Sequence, residues 1–258
     1  MFEIFIVSIV SFTAAILTFF SGFGLGTILT PVMMIFFPTE IAIAFTGLVH
    51  FSNNIFKFFL VGKNIDKKVL IRFGLPSVIA AFVGSYILLL IDDNIVIFSY
   101  YFFDKKIDVI LIKFLISILL IIFAIIDLTP QIKDLHFDKK YLPLGGFLSG
   151  FFGGLSGNQG ALRSAFLVKH GLKKSVFVAT TIAVSSLVDI TRLGVYSTNF
   201  LNLNYSDFYQ LGFFSVVSAV AGSFIGNKLL KKVTIEQIKK IVALLLVLLG
   251  MSLLIGIL

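Results

Sequence analysis

Residues 73–87, FGLPSVIAAFVGSYI, and residues 211–225, LGFFSVVSAVAGSFI, are two copies of one apolar segment. Gly74 aligns with Gly212, Ser77 with Ser215, Ala81 with Ala219, Gly84 with Gly222 and Ser85 with Ser223, and seven of the fifteen positions are identical. Upstream, at a slightly smaller offset, Val49 to Lys57 aligns with Val184 to Arg192, which sets Asn54 against Asp189 and Lys57 against Arg192. Repeated halves built around interrupted hydrophobic segments are the pattern of secondary transporters.

The rest of the chain agrees with a membrane solvent. Mean hydropathy is +1.07 and 58% of residues are hydrophobic. Apolar runs cover residues 4–20, 41–61, 75–91, 107–126, 175–198, 208–227 and 241–258. A helix needs roughly 20 residues to cross a hydrocarbon core of about 30 Å, so every run but the first reads as a candidate span. The fold class expected is therefore all-α, a polytopic helical membrane protein. Met1-Phe2-Glu3 lacks the basic start of a secretory leader, so the first run is expected to stay in the fold. The net charge of +8 arises from short clusters between apolar runs rather than from one soluble face, which excludes nucleic acid as a partner. The absence of cysteine excludes disulfides, thiolate metal sites and cysteine nucleophiles.

Those clusters also set a topology. Lys63, Lys67, Lys68 and Arg72, then Lys133, Lys139 and Lys140, then Lys169, Lys173 and Lys174, then Lys228, Lys231, Lys232, Lys239 and Lys240 mark one side, expected to be cytoplasmic. Glu3, Glu40, Asp92, Asp93, Asp104 and Asp108, with only Lys105, Lys106 and Lys113, fall on the other. The segments before Pro38, and those from Tyr141 to His170, must each return to the side they started from. Each half then reads as a broken, re-entrant-like helical hairpin followed by three transmembrane helices, the two halves being inverted repeats. Residues 1–127 form the first repeat, 128–141 a cytoplasmic connecting loop and 142–258 the second repeat, with the C-terminus outside. The hairpin arms at about 142–156 and 160–169 are too short to cross; the depth of the first hairpin is left open.

Each hairpin carries a glycine-rich break. The first is Ser21-Gly22-Phe23-Gly24-Leu25-Gly26-Thr27, with Thr30-Pro31 a turn later. Gly24, Gly26 and Thr27 would bring backbone N–H groups and the positive end of a short helix to an anion. The second, Gly157-Asn158-Gln159-Gly160-Ala161-Leu162-Arg163, sets two amides and a guanidinium among apolar flanks. Arg163 is costly at membrane depth unless paired or solvated, and its rigid fork suits sulfonate, sulfite or carboxylate oxygens. Asn54, Lys57 and Arg192 complete the candidate anion-binding set, and Asp189, three residues before Arg192, is the candidate for proton coupling. Close packing through small residues, and an Asp189–Arg192 pair that satisfies only itself, stay open as alternatives at this point. His50 reads as an interhelical hydrogen-bond partner rather than a proton relay, and His136 and His170 as solvated loop residues.

Catalytic and nucleotide-binding patterns are missing: HExxH, GxSxG and GxxxxGK[ST] do not occur, and no His or carboxylate cluster has metal-ligand spacing. Neither enzymatic activity nor a metal or cofactor is expected. The partners expected are a small anion and the lipid bilayer, with homo-oligomerisation left open.

At the two breaks, and over nearly the whole chain, the sequence resembles the TauE/SafE sulfite exporter family. Its members repeat a G-x-G-G-G stretch followed within a turn by proline, once per half. Here Leu25 interrupts the triple glycine, Asn158 and Gln159 replace glycines, and Ser164 stands roughly where proline is usual. The resemblance implies a transporter of a bacterial or archaeal cell membrane. It would move sulfite, sulfoacetate or a related organosulfonate outward by alternating access, driven by an ion gradient. An anion channel, or a membrane scaffold or sensor that moves no solute, are the other function classes the residues allow.

Overall fold

The computed structural model describes residues 1–19, 24–61, 64–92, 94–129, 138–167, 172–200, 205–229 and 235–257. Ser21, Gly22, Phe23, Lys63, Asp93, Lys133, His136, Lys169, His170, Lys231 and Lys232 lie outside the described residues.

Among the described residues, ten helices carry the fold. They are α1 (Phe2–Thr18), α2 (Gly26–Met33), α3 (Thr39–Val61), α4 (Lys67–Leu90), α5 (Leu111–Leu128), α6 (Leu142–Ser156), α7 (Gly160–Leu167), α8 (Lys174–Phe200), α9 (Tyr205–Leu229) and α10 (Ile235–Leu254). The start of α4 is fixed by Asp66, whose Oδ1 accepts from the N–H groups of Lys68 and Val69 at 2.9 and 3.0 Å. A π-helical turn at Leu70–Gly74 follows just before Pro76. Among the described residues, Lys67–Leu90, Ser175–Ser197 and Phe208–Lys228 are long and apolar enough to cross a membrane. Phe2–Thr18, Leu111–Ile126 and Lys240–Leu254 are apolar but shorter. Large apolar side chains such as Phe59, Ile71, Phe82 and Phe213 face outward, the pattern of a lipid-exposed surface.

One stretch departs from the helical expectation. Residues 107–110 open the apolar run 107–126, yet they belong to a β-hairpin of β1 (Val96–Phe102) and β2 (Lys105–Ile110), and α5 begins only at Leu111. Phe98 pairs with Val109 and Phe102 with Lys105 in antiparallel register. β-branched and aromatic residues dominate β1 and make up half of β2, and Phe103 and Asp104 take the two positive φ values, 45° and 58°, that a tight two-residue turn requires.

The repeated segment sets the packing. A methyl group on Gly146, Gly150 or Gly154 of α6 would lie 2.2, 2.0 and 2.2 Å from the carbonyl oxygens of Phe73, Ser77 and Ala81 of α4. Gly84 is pressed as closely on Phe151, and Ser77 Oγ donates to Gly146 O at 2.9 Å. In the other copy, Gly222 and Gly226 of α9 lie against Phe12 and Ile16 of α1. Close backbone approach through small residues is how helices gain dispersion contacts where lipid removes the hydrophobic drive. Residue numbers rise together across both seams, so α4 runs parallel to α6 and α1 parallel to α9. In contrast α8 runs antiparallel to α3, with Gly47 against Arg192 and Asp66 against Thr180, and α10 antiparallel to α5. Phe45 packs against Phe208 with tilted rings while Asn53 meets Ser223, so α3 and α9 end on the same face. Lys67, Lys68, Lys139, Lys140 and Lys228 therefore share that face. The hairpin with Lys105 and Lys106 is on the other.

Not every glycine is a contact. Gly194 of α8 has no atom within 4 Å of where a Cβ would stand. Gly194→Ala is expected to raise the thermal midpoint in detergent slightly, by the ~0.5 kcal/mol that removing a mid-helix glycine gives, with flux unchanged.

Candidate functional site

Both breaks end in the interior. In the second, Gly157 takes φ +77° and its N–H donates to Gly153 O at 3.0 Å, a left-handed C-cap that stops α6. The chain turns through Asn158 and Gln159, held by Ser149 Oγ donating to Gln159 O at 3.0 Å, and restarts as α7 at Gly160. In the first, Gly24 abuts the His50 ring, and Thr27 spends both its N–H and its hydroxyl on Gly24 O, at 3.1 and 2.8 Å. Gly26 faces the carbonyl of Gly157, a Cβ there falling 3.3 Å away. The two tips thus meet. The N–H groups of Thr27 and Gly157, two of the backbone donors the glycine pattern pointed to, are already bonded in their own turns.

Two polar helix faces close around the tips. Gly47, His50, Asn54 and Lys57 recur at three- and four-residue spacing along α3, and Thr181, Ser185, Asp189, Arg192 and Tyr196 do so along α8. All the polar members are buried. Asp189 Oδ1 accepts from Arg192 Nε at 3.0 Å and from Gln159 Nε2 at 3.4 Å. Its Oδ2 accepts from His50 Nδ1 at 2.6 Å and Asn54 Nδ2 at 3.3 Å. Arg192 Nη2 is 2.8 Å from Oδ1, close enough for an ion pair but not aimed for a hydrogen bond. Arg192 Nη1 has no partner and points at the tips: a methyl on Gly157 would lie 2.8 Å from it and 3.2 Å from Thr30 Oγ1. The hydroxyls of Thr30 and Thr46 are also buried without hydrogen-bond partners.

Arg163 is 2% exposed and does not reach for the surface. Its Nη1 donates to Gln159 Oε1 at 3.0 Å and to Ser185 Oγ. Lys57 is as deeply buried, with Nζ 5.3 Å from the centre of the Phe19 ring. His50, Asn54, Lys57, Arg163, Thr181 and Ser185 line a cavity of about 20 Å³ beside the Asp189 network, room for roughly one water. Asn158 turns its amide nitrogen onto Ser156 and leaves Oδ1 unpartnered.

Of the residues singled out from sequence, the structure brings Asn54, Lys57, Gln159, Arg163, Asp189 and Arg192 into one connected centre, with Gly24, Gly26, Gly157, Asn158 and Gly160 at the adjoining tips. His50 does bridge two helices as expected, but its partner is the buried carboxylate. Gly47, Ser185 and Tyr196 were not singled out, and Thr30 was noted only as the end of the first break. The signal for the first three was the helical period on α3 and α8, which single alignments of charged residues pass over. Tyr196 hydroxyl donates to Gly154 O, and Gly47 leaves space for the Arg192 guanidinium.

Among the described residues, then, three basic side chains, Lys57, Arg163 and Arg192, are buried near one buried carboxylate, Asp189, which pairs directly with Arg192. A helical integral membrane protein that keeps such a centre between two broken hairpins has the build of a transporter rather than of a soluble enzyme. Residues 7–253 match the sulfite exporter TauE/SafE family, nearly the whole length, and the chain belongs to that family. A comparison with curated proteins found no match.

Proposed function

We propose that this protein is a secondary transporter for a small anion of the sulfite, sulfoacetate or organosulfonate type, bound between the two hairpin tips. The observation that carries this reading is the buried Nη1 of Arg192, which has no hydrogen-bond partner among the described residues and lies where the tips meet, beside Gly157 and Thr30. A buried guanidinium N–H left without an acceptor is costly, and an anion is a partner that relieves it. Arg192 Nη1, with the Thr30 hydroxyl beside it, would receive the anion's oxygens; Arg163 and Lys57 would draw it through the adjoining cavity. Asp189 is left as the one carboxylate able to exchange a proton.

Residues 1–127 and 142–258 are read as inverted repeats. Supporting this, α1 packs on α9 as α6 packs on α4, the counterparts α3 and α8 run antiparallel, and so do α5 and α10. Rocking of one repeat on the other would alternate access. The face bearing Lys67, Lys68, Lys139, Lys140 and Lys228 is taken as cytoplasmic, in a bacterial or archaeal cell membrane.

Purified protein in proteoliposomes tests the reading directly. Concentration-driven flux of sulfite or sulfoacetate is expected, and Asn158→Ala is expected to slow it about tenfold by removing a tip amide, with folding intact. Absence of flux for every sulfur oxyanion tried would reject the proposal. Electrodiffusive currents far above carrier turnover would replace the carrier with a channel.

A further inference from the structure

Asp189 makes the contacts expected of a bound anion. Its two oxygens accept from Arg192, Gln159, His50 and Asn54, donors drawn from α3, α8 and the second tip. An ion pair that served only to satisfy Arg192 would need no such shell. Arg192 meanwhile turns an unpartnered Nη1 toward Gly157 and Thr30, on the side of the tips. A substrate anion that takes this guanidinium must sit close to the Asp189 carboxylate. Two negative charges a few ångström apart in a dry interior repel strongly, so both do not stay ionised there.

We infer that Asp189 is a tethered stand-in for the transported anion, displaced from Arg192 as the His50–Asp189 pair takes up a proton, so that the protein couples proton and anion movement in the same direction. The inference rests on the anion reading above. In this cycle the proton arrives at Nε2 of His50, the ring atom beside Gly24 at the first tip. The imidazolium passes its Nδ1 proton to Asp189 Oδ2, and the ring is left neutral with its hydrogen on Nε2. The uncharged acid then releases Arg192 to the substrate. One proton is gained for each anion bound. A divalent anion leaving the cell with one proton still carries net negative charge outward, a movement that an inside-negative potential favours.

The charged and titratable groups around the pair are few. Lys57 shares α3 with His50, Arg163 comes from α7, and Arg192 and Tyr196 share α8 with Asp189. From α4, Lys67, Lys68, Arg72 and Tyr86 are exposed, and α6 contributes no buried titratable group. His50 and Asp189 are thus the hydrogen-bonded pair placed to exchange a proton, with Lys57 the next titratable side chain along α3.

The test uses purified full-length protein and sulfoacetate, which does not itself titrate between about pH 6 and 8, unlike sulfite. Binding to wild type in weakly buffered solution with a pH indicator is expected to take up about one proton per anion. Its Kd is expected to rise up to about tenfold per pH unit above the titration of the pair. Asp189→Asn, whose amide mimics the protonated acid, is expected to bind at about pH 8 as tightly as wild type at about pH 6, with no proton uptake and no pH slope. His50→Gln should flatten the wild-type slope while still binding. Wild-type binding without proton uptake overturns the inference, as does an Asp189→Asn variant that keeps the slope or binds more than about tenfold weaker. If Asp189→Asn does not fold, the wild-type proton count decides alone. Binding of neither sulfoacetate nor methanesulfonate by wild type at any pH would remove the anion reading and this inference together.

Discussion

Arg163→Ala is expected to cut sulfite or sulfoacetate flux by about one and a half to three orders of magnitude in proteoliposomes, with the protein still monodisperse in detergent. The guanidinium is buried, lines the central cavity and donates to Gln159 and Ser185, whereas the direct ion pair of the Asp189 carboxylate is made by Arg192. Losing a desolvated, hydrogen-bonded charge on a ligand costs roughly 2–4 kcal/mol, and each 1.4 kcal/mol is a factor of ten. Arg192→Ala is the less clean variant, because it leaves Asp189 without its ion pair and invites misfolding. Arg163→Lys separates charge from shape: a point charge without the planar fork should recover only part of the rate. Initial rates within twofold of wild type for Arg163→Ala would take this arginine out of the transport path.

Gly150→Ala is expected to be the most damaging of the conservative substitutions. Its methyl would fall 2.0 Å from Ser77 O and 2.5 Å from Ser77 Cα, both backbone atoms of α4, so no rotamer change relieves it. The α4–α6 seam must open along its length, because Gly146 and Gly154 lock the same two backbones one turn above and below. Overpacking costs about 1–3 kcal/mol where side chains yield, and a backbone clash falls at or beyond the top of that range. Thermal unfolding in detergent should show a large drop in midpoint, or no recoverable monodisperse protein. The control is Gly212→Ala, whose methyl meets only Phe45, at 3.8 Å, and which should shift stability by no more than about 0.5 kcal/mol. Equal midpoints for the two variants would mean that the seam is looser than described.

These effects bear on what could be read from the chain. The two copies at 73–87 and 211–225 read as the mark of repeated halves, with no role for their small residues. Gly84 and Gly222 lie in the helix seams that hold each hairpin, and Ser77 spends its hydroxyl on Phe73 O and Gly146 O. Small-residue spacing cannot by itself distinguish a seam from a ligand cradle, since both need a backbone brought close. Similarly, residues 107–110 are apolar enough to begin a span, but strand pairing with residues 96–102 is a non-local contact that hydropathy does not record. The hairpin arms expected at about 142–156 and 160–169, where the structure has helices over Leu142–Ser156 and Gly160–Leu167, were legible because their length alone forbids a crossing.

The sequence by itself determined a helical membrane protein of two similar halves, two glycine breaks, and Lys57, Arg163, Asp189 and Arg192 as charges inside apolar runs, because hydropathy, repetition and the cost of buried charge are properties of local stretches. Only the tertiary structure decided that α3 and α8 lie antiparallel with their polar faces together. That crossing brings His50, 139 residues away in sequence, to within 2.6 Å of Asp189 and turns the free end of Arg192 toward the hairpin tips. The pairing of distant helices depends on which surfaces fit at backbone distance, and no single stretch of the chain contains that information.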